Sequence, residues 1–236
     1  MKRFILLSSG RAGSTSFIDA LAQFDDIAVP SKQIECVDNE IFHPRFVKKY
    51  VAQYQALSGI PVRDELSLIE AFYKSNTGAA FAGFKSMPNR HGSLQDLANK
   101  GDIKMITLAR DDIASTVASF IVAIDRNTWR RHGGKQKHRF TFAPEYKDRA
   151  LSHLAYIVDS QKIFHSLPNS IHIKFEDLCK KDFANTELNE FFQRPVTIAN
   201  PRPPVSGEAY VDNWDQFTAF IEEKLAEINA RNTAKL

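Results

Sequence analysis

Apolar and polar positions along this chain fall into two rhythms. Short strand-like runs recur at residues 4–7, 27–29, 80–84, 103–108 and 171–175. The run at 103–108 is the clearest case of a strand buried on both faces. Between these runs the apolar residues recur at helical spacing, which predicts helices near 15–24, 45–57, 66–73, 93–99, 113–124, 146–167 and 214–228. In the first of these, Phe17, Ile18, Leu21 and Phe24 form one stripe. Breakers agree with the boundaries: Ser58-Gly59 ends the second helix, Pro61 precedes the third and Pro168 follows the sixth. Residues 195–207, which hold Pro195, Pro201, Pro203 and Pro204, read as an extended surface segment. Strands alternating with helices predict a parallel α/β sheet.

The join between the first strand and the first helix carries the most chemistry. It reads Ser8-Ser9-Gly10-Arg11-Ala12-Gly13-Ser14-Thr15, close to the phosphate-binding pattern G-x-x-x-x-G-K-[ST]. Gly13 and Thr15 fit, but Ser14 stands in the lysine position and Ser8 in that of the first glycine. A strand, a small-residue turn and a helix start form an anion site, because unpaired N–H groups and the positive end of the helix dipole converge there. Without the lysine the loop suits ATP or GTP poorly, while Arg11 still offers charge to a phosphosulfate.

On these residues the chain resembles the sulfotransferases that use 3′-phosphoadenosine 5′-phosphosulfate (PAPS), in particular a soluble bacterial type acting on carbohydrates. The first signature of that family is matched by Arg11-Ala12-Gly13-Ser14-Thr15. The second, a strand ending in arginine followed by a helix with a serine, is matched by 106–110 ending in Arg110 and by Ser119, with Ser115 a rival. A weaker third likeness is Ile171-His172-Ile173-Lys174-Phe175-Glu176-Asp177-Leu178. The resemblance implies a three-layer P-loop-like α/β fold, a central parallel sheet flanked by helices, formed as a single domain over residues 1–236. It implies that Arg11, Ala12, Gly13, Ser14, Thr15, Ser16, Arg110 and Ser119 hold the donor, which leaves as adenosine 3′,5′-bisphosphate. Arg110 and Ser119 would take its 3′-phosphate.

The general base follows less directly. Where the cytosolic branch of the family has Lys-Thr-His-Leu-Pro, this chain has Lys85-Ser86-Met87-Pro88, so that histidine has no counterpart. Other branches use a glutamate in a stretch that Asn39-Glu40-Ile41-Phe42-His43-Pro44 resembles. The resemblance therefore makes Glu40 the first choice as base, with Glu35 and His43 as alternatives, and adds Arg11 and Lys85 as catalytic cations. His91 could also face the acceptor. No metal ligand set is expected, since sulfuryl transfer has no strict need of Mg²⁺.

Composition narrows the remaining classes. With 236 residues, 43% hydrophobic and 25% charged, the chain can bury one substantial core. A net charge of +3 is too small to imply nucleic-acid binding by itself. Cys36 and Cys179 are expected to be two thiols in a reducing compartment rather than a disulfide framework. No run approaches the length of a membrane span and no signal segment is expected, so the location read from the sequence is cytoplasmic. The stretch from Arg126 to Arg139 gathers Arg130, Arg131, His132, Lys135, Lys137 and His138 around Trp129. It is either a solvated charged face or a contact for donor phosphates or an anionic glycan, with nucleic acid the other reading of the same stretch. A P-loop kinase and a non-catalytic nucleotide-fold binding protein are the competing readings. The acceptor is expected to be a hydroxyl on a carbohydrate or glycolipid.

Overall fold

Alternation within the first strand decides the architecture. In β1 (Lys2–Ser8), Phe4 and Leu6 join the core on one side of the sheet and Ile5 and Leu7 the core on the other, all fully buried. A strand covered on both faces belongs in the interior of a parallel sheet. The computed structural model describes residues 1–34, 39–90, 92–126, 139–180, 182–197 and 206–233. In it β1 is the central strand of five, with β2 (Ile27–Ala28), β3 (Phe81–Ser86), β4 (Ile103–Ala109) and β5 (Ile171–Lys174) in the order β2-β3-β1-β4-β5. All four pairings are parallel. The expected α/β fold with a central parallel sheet flanked by helices is the one observed.

Helices cover both faces. Beneath Phe4 and Leu6 lie α1 (Ser14–Leu21) and α8 (Thr186–Phe192), through Phe17, Ile18, Leu21, Leu188 and Phe192. Beneath Ile5 and Leu7 lie α2 (Val47–Ser58), α3 (Glu65–Lys74) and α4 (Leu94–Lys100). α3 starts at a capping box, in which the Asp64 carboxylate accepts from the Ser67 amide at 2.8 Å and the Ser67 hydroxyl accepts from the Asp64 amide at 3.0 Å. A third cluster joins α5 (Ile113–Asp125), α6 (Pro144–Ser166) and α9 (Trp214–Thr233) through Val117, Ile121, Leu154, Ile157, Phe217 and Ile221. Among the described residues no helix is long and apolar enough to cross a membrane.

Several boundaries differ from the sequence reading. Phe175, read as the end of the last strand, opens the short helix α7 (Phe175–Leu178). α1 stops at Leu21, three residues before Phe24. β3 runs through Lys85 to Ser86, so Lys85 lies within the strand rather than after it. Gly207, read as the end of an extended surface segment, is buried and starts a 3₁₀ turn at Gly207–Ala209. The reason is a hydrogen bond: its amide donates to the Ser115 hydroxyl at 2.6 Å.

The register places the site. Leu7 lies opposite both Ser86 and Thr107, and Ser8 opposite Leu108. The loops leaving the carboxyl ends of β1, β3 and β4 therefore emerge side by side. The chain also reverses its direction of growth between β1 and β4, and such a switch point is where open α/β sheets form their ligand crevices.

Candidate functional site

The loop after β1 is shaped by two left-handed residues, Arg11 at φ 69° and Gly13 at φ 83°. For Gly13 the requirement is double. A side chain is strained at that φ, and a Cβ there would stand 2.2 Å from the Phe175 ring. α1 begins at Ser14 without a side-chain cap, since its N-cap residue is Gly13. The first amides of α1, at Ser14, Thr15 and Ser16, have no carbonyl within the helix to pair with. Ser16 itself is exposed, whereas Ala12 is buried.

Side chains from two other elements converge on this loop. Arg11 Nε donates to the Ser119 hydroxyl at 3.0 Å, joining the loop to α5 across 108 residues of sequence. Lys85, 8% exposed, donates from Nζ to Thr15 Oγ1 at 3.2 Å. The two serines of α5 are thus separated by their partners: Ser119 faces Arg11, while the Ser115 hydroxyl holds the Gly207 amide.

On the β3 side, residues 39–40 run alongside the sheet. Glu40 forms a parallel bridge with Lys85, and the Lys85 amide donates to the Asn39 carbonyl at 3.1 Å. The Glu40 side chain is 2% exposed, and Arg90 Nε lies 3.6 Å from Oε1. His43 is turned away toward Phe46, at 5.1 Å between ring centres, and its Nδ1 accepts from the Arg45 amide at 3.2 Å. Glu35 and His91 lie outside the described residues, as do Cys36 and positions 127–138 of the basic stretch. At the edge of that stretch Arg139 is paired with Asp212 at 2.6 Å.

On the β4 side the burial is reversed. Arg110 is 6% exposed, with Nη2 at 3.4 Å from Asp112 and Nε at 3.8 Å from Glu176. Its guanidinium lies 5.7 Å from the centre of the Phe175 ring, the same ring that packs against Gly13. The start of α5 uses the acids nearby: Asp112 accepts from the Ser115 amide at 2.9 Å, and Glu176 accepts from the amides of Asp111 and Asp112 at 3.2 and 3.3 Å. Asp111 pairs with Lys174 at 2.8 Å.

Two residues of α6 that the sequence reading did not single out lie near the site, His153 against the loop after β1 and Tyr156 within range of the Glu40 and Arg90 charges. His153 of α6 is 4% exposed and stacked on Phe120 with 3.7 Å between ring centres. Burial, helped by the charge of Arg11, lowers its pKa to about 3. One turn further, burial pushes the Tyr156 phenol up to about 12. For His153 a signal was present in the pattern, because it interrupts the apolar stripe Ala150, Leu154, Ile157 of α6. A groove of about 640 Å³ adjoins the β4 side, running along β5 and the end of α6 and lined by Asp111, His165, His172, Lys174 and Asp177 among others. Its volume marks open surface, whereas the converging cations and buried acid lie at the loop.

Among the described residues no group of three or more His, Cys, Asp or Glu could hold a metal ion. The chain matches no protein-family model, and no match is found for it among curated proteins.

Proposed function

We propose that the chain is a sulfotransferase, moving a sulfuryl group from PAPS to a hydroxyl acceptor on a carbohydrate or glycolipid. The observation that carries this reading is the 3.0 Å hydrogen bond from Arg11 to Ser119. It unites two motifs that the sequence offered separately, at the point where the sheet forms its crevice. The residues present fit a phosphosulfate nucleotide: the first amides of α1 follow the left-handed turn at Gly13, and Arg11 and Lys85 supply positive charge. Arg110 and Ser119 are the groups for the 3′-phosphate.

The donor supplies an activated sulfuryl group: an oxygen–sulfur bond forms to the acceptor, the bond to the bridging oxygen breaks, and adenosine 3′,5′-bisphosphate is left. Arg11 and Lys85 stabilise the charge that grows on the departing phosphate. Glu40 receives the proton of the acceptor hydroxyl. Its burial beside Arg90 fixes the carboxylate in place, and positioning of this kind accounts for much of such catalysis. A kinase reading has less support, since Asp111 is paired with Lys174 and Asp112 caps α5, which engages the two acids nearest the loop.

Calorimetric titration separates the readings. Adenosine 3′,5′-bisphosphate is expected to bind and ATP–Mg²⁺ to give no heat. Binding of ATP–Mg²⁺ alone would move the protein to the kinases, and heat from neither would leave a nucleotide fold without a nucleotide.

A further inference from the structure

An arginine side chain loses much rotamer freedom when it is ordered, and inside a site it is normally held by hydrogen bonds to several acceptors. Arg90 is placed beside Glu40 without one. It closes the 3₁₀ turn Pro88–Arg90 that follows β3, and its amide donates to the Met87 carbonyl at 3.0 Å. Its guanidinium is divided. Nε is shielded from solvent, lies 3.6 Å from Glu40 Oε1 and has no hydrogen-bond partner among the described residues. Nη1 and Nη2 are not shielded in this way: the side chain is 34% exposed, and no acceptor among the described residues takes their protons. The inner edge thus faces a buried acid, while the outer fork opens to solvent with its donors unused.

We infer that Arg90 selects the acceptor by gripping a carboxylate or sulfate ester on the sugar, beside the hydroxyl that reacts. This rests on the sulfuryl-transfer reading for the role of Glu40, though the grip itself does not need the donor. Two parallel N–H groups match the paired oxygens of either anion, and a guanidinium accepts no hydrogen bond in return. A neutral hydroxyl would use one donor and leave the charge uncompensated. The surroundings favour an anion as well. Glu40 offsets one positive charge, but Lys85 is its bridge partner in the backbone and Arg11 stands on the adjoining loop, so this side of the site stays cationic. Position makes the grip selective. The inner edge of the same guanidinium faces Glu40, so a sugar anchored on the fork is brought up to the carboxylate that receives the proton of its neighbouring hydroxyl.

The test follows the Arg90 Nε–H signal by nuclear magnetic resonance in protein labelled with ¹⁵N at arginine, the signal assigned by its loss in Arg90→Lys. Methyl glucuronide and glucose 6-sulfate are titrated beside methyl glucoside and inorganic sulfate. At least one of the two anionic sugars is expected to shift the Arg90 signal saturably and to bind about tenfold more tightly than methyl glucoside. Which of them answers separates carboxylate from sulfate. Arg90→Gln is expected to abolish that preference, read from the sugar's own proton signals, while methyl glucoside binds as before. Arg90→Lys keeps a charge beside Glu40, so it serves if the glutamine protein fails to fold; lacking the fork, it is expected to lose about threefold or more of the preference. Equal binding of charged and neutral sugars would overturn the proposal, and so would inorganic sulfate binding as tightly as either sugar anion. An equal loss for charged and neutral sugars in both variants would do the same, since that is the behaviour of an arginine that only supports Glu40. The two readings fail separately. A response to the anionic sugars without binding of adenosine 3′,5′-bisphosphate removes the donor and keeps the grip, and bisphosphate binding without a preference for anionic sugars does the reverse.

Discussion

The two flanks of the loop after β1 are built from the same parts with opposite burial. On the β3 flank the acid is inside: Glu40 is 2% exposed and its partner Arg90 34%. On the β4 flank the cation is inside: Arg110 is 6% exposed and its partner Glu176 30%. Burying a charge is costly unless it is paired, so each of these two pairs keeps one charge dry and leaves its counter-ion partly exposed, while Lys85 is a second buried charge on the β3 flank. On the reading proposed above, the difference assigns a group to each flank: a buried carboxylate would receive a proton and a buried guanidinium a phosphate, with the partly exposed partner holding each in the absence of ligand.

Four substitutions press on this contrast. Glu40→Gln keeps the shape of the β3 flank and removes its charge. Donor turnover should fall roughly a hundred- to ten-thousandfold, while calorimetry finds adenosine 3′,5′-bisphosphate bound as before; a fully active variant would pass the role of base to Glu35 or His43. Arg110→Ala should act in the opposite sense, on binding. Affinity for adenosine 3′,5′-bisphosphate should drop roughly ten- to a hundredfold, and affinity for adenosine 5′-phosphate should hardly change. Equal losses for both nucleotides would detach Arg110 from the 3′-phosphate.

A third test concerns the burial of His153 against the loop after β1. His153 is depressed to about 3 in the folded chain by burial and by Arg11, against about 6.5 when unfolded. Between those values the unfolded chain binds the extra proton and the folded chain does not. The stability this neutral imidazole contributes is thus complete above pH 6.5 and is lost as pH falls toward 3, at a limiting slope of about 1.4 kcal/mol per pH unit. Urea unfolding of His153→Phe over pH 6 to 4.5 should show a shallower loss than the parent; identical slopes would mean that the imidazole is hydrated. The smallest effect is expected from Glu176→Gln. With its exposed partner neutralised, Arg110 should bind the bisphosphate about two- to fivefold more tightly, since partly exposed ion pairs contribute at most about 1 kcal/mol. Weaker binding would show instead that Glu176 holds Arg110 in position.

The fold was legible where local pattern and burial coincide. Apolar runs marked β1, β3 and β4 because strands covered on both faces have few polar positions, and Gly59 ended α2 where a left-handed cap stands. The loop and Ser119 were legible as motifs, yet the preference of Ser119 over Ser115 came only from tertiary partners: both lie on one face of α5, and nothing local says that one meets Gly207 and the other Arg11. α8 went unread because its seven residues are too few to show a period, its start being fixed by Asn185 accepting from the Leu188 amide at 2.8 Å. Phe175 looked like a strand residue on local grounds, but packing against Gly13 and Arg110 at the helix start decided its place. His153 and Tyr156 were missed because a long helix was taken as scaffold, and only burial shows that their polar atoms face inward.

The position of β1 has a consequence for how the protein is made. It is the earliest strand in the sequence and the central one in the sheet, and its neighbours β3 and β4 begin only at Phe81 and Ile103. A ribosome adding roughly 5–20 residues per second leaves β1 without a partner for several seconds. During that time Phe4, Ile5, Leu6 and Leu7 form a bare apolar segment with both faces open to water and to other nascent chains. The bond between Arg11 and Ser119 closes later still, once α5 has been made. The turn after β1 is thus encoded early and joined to α5 late, so a chain arrested in between carries the loop sequence without its partners.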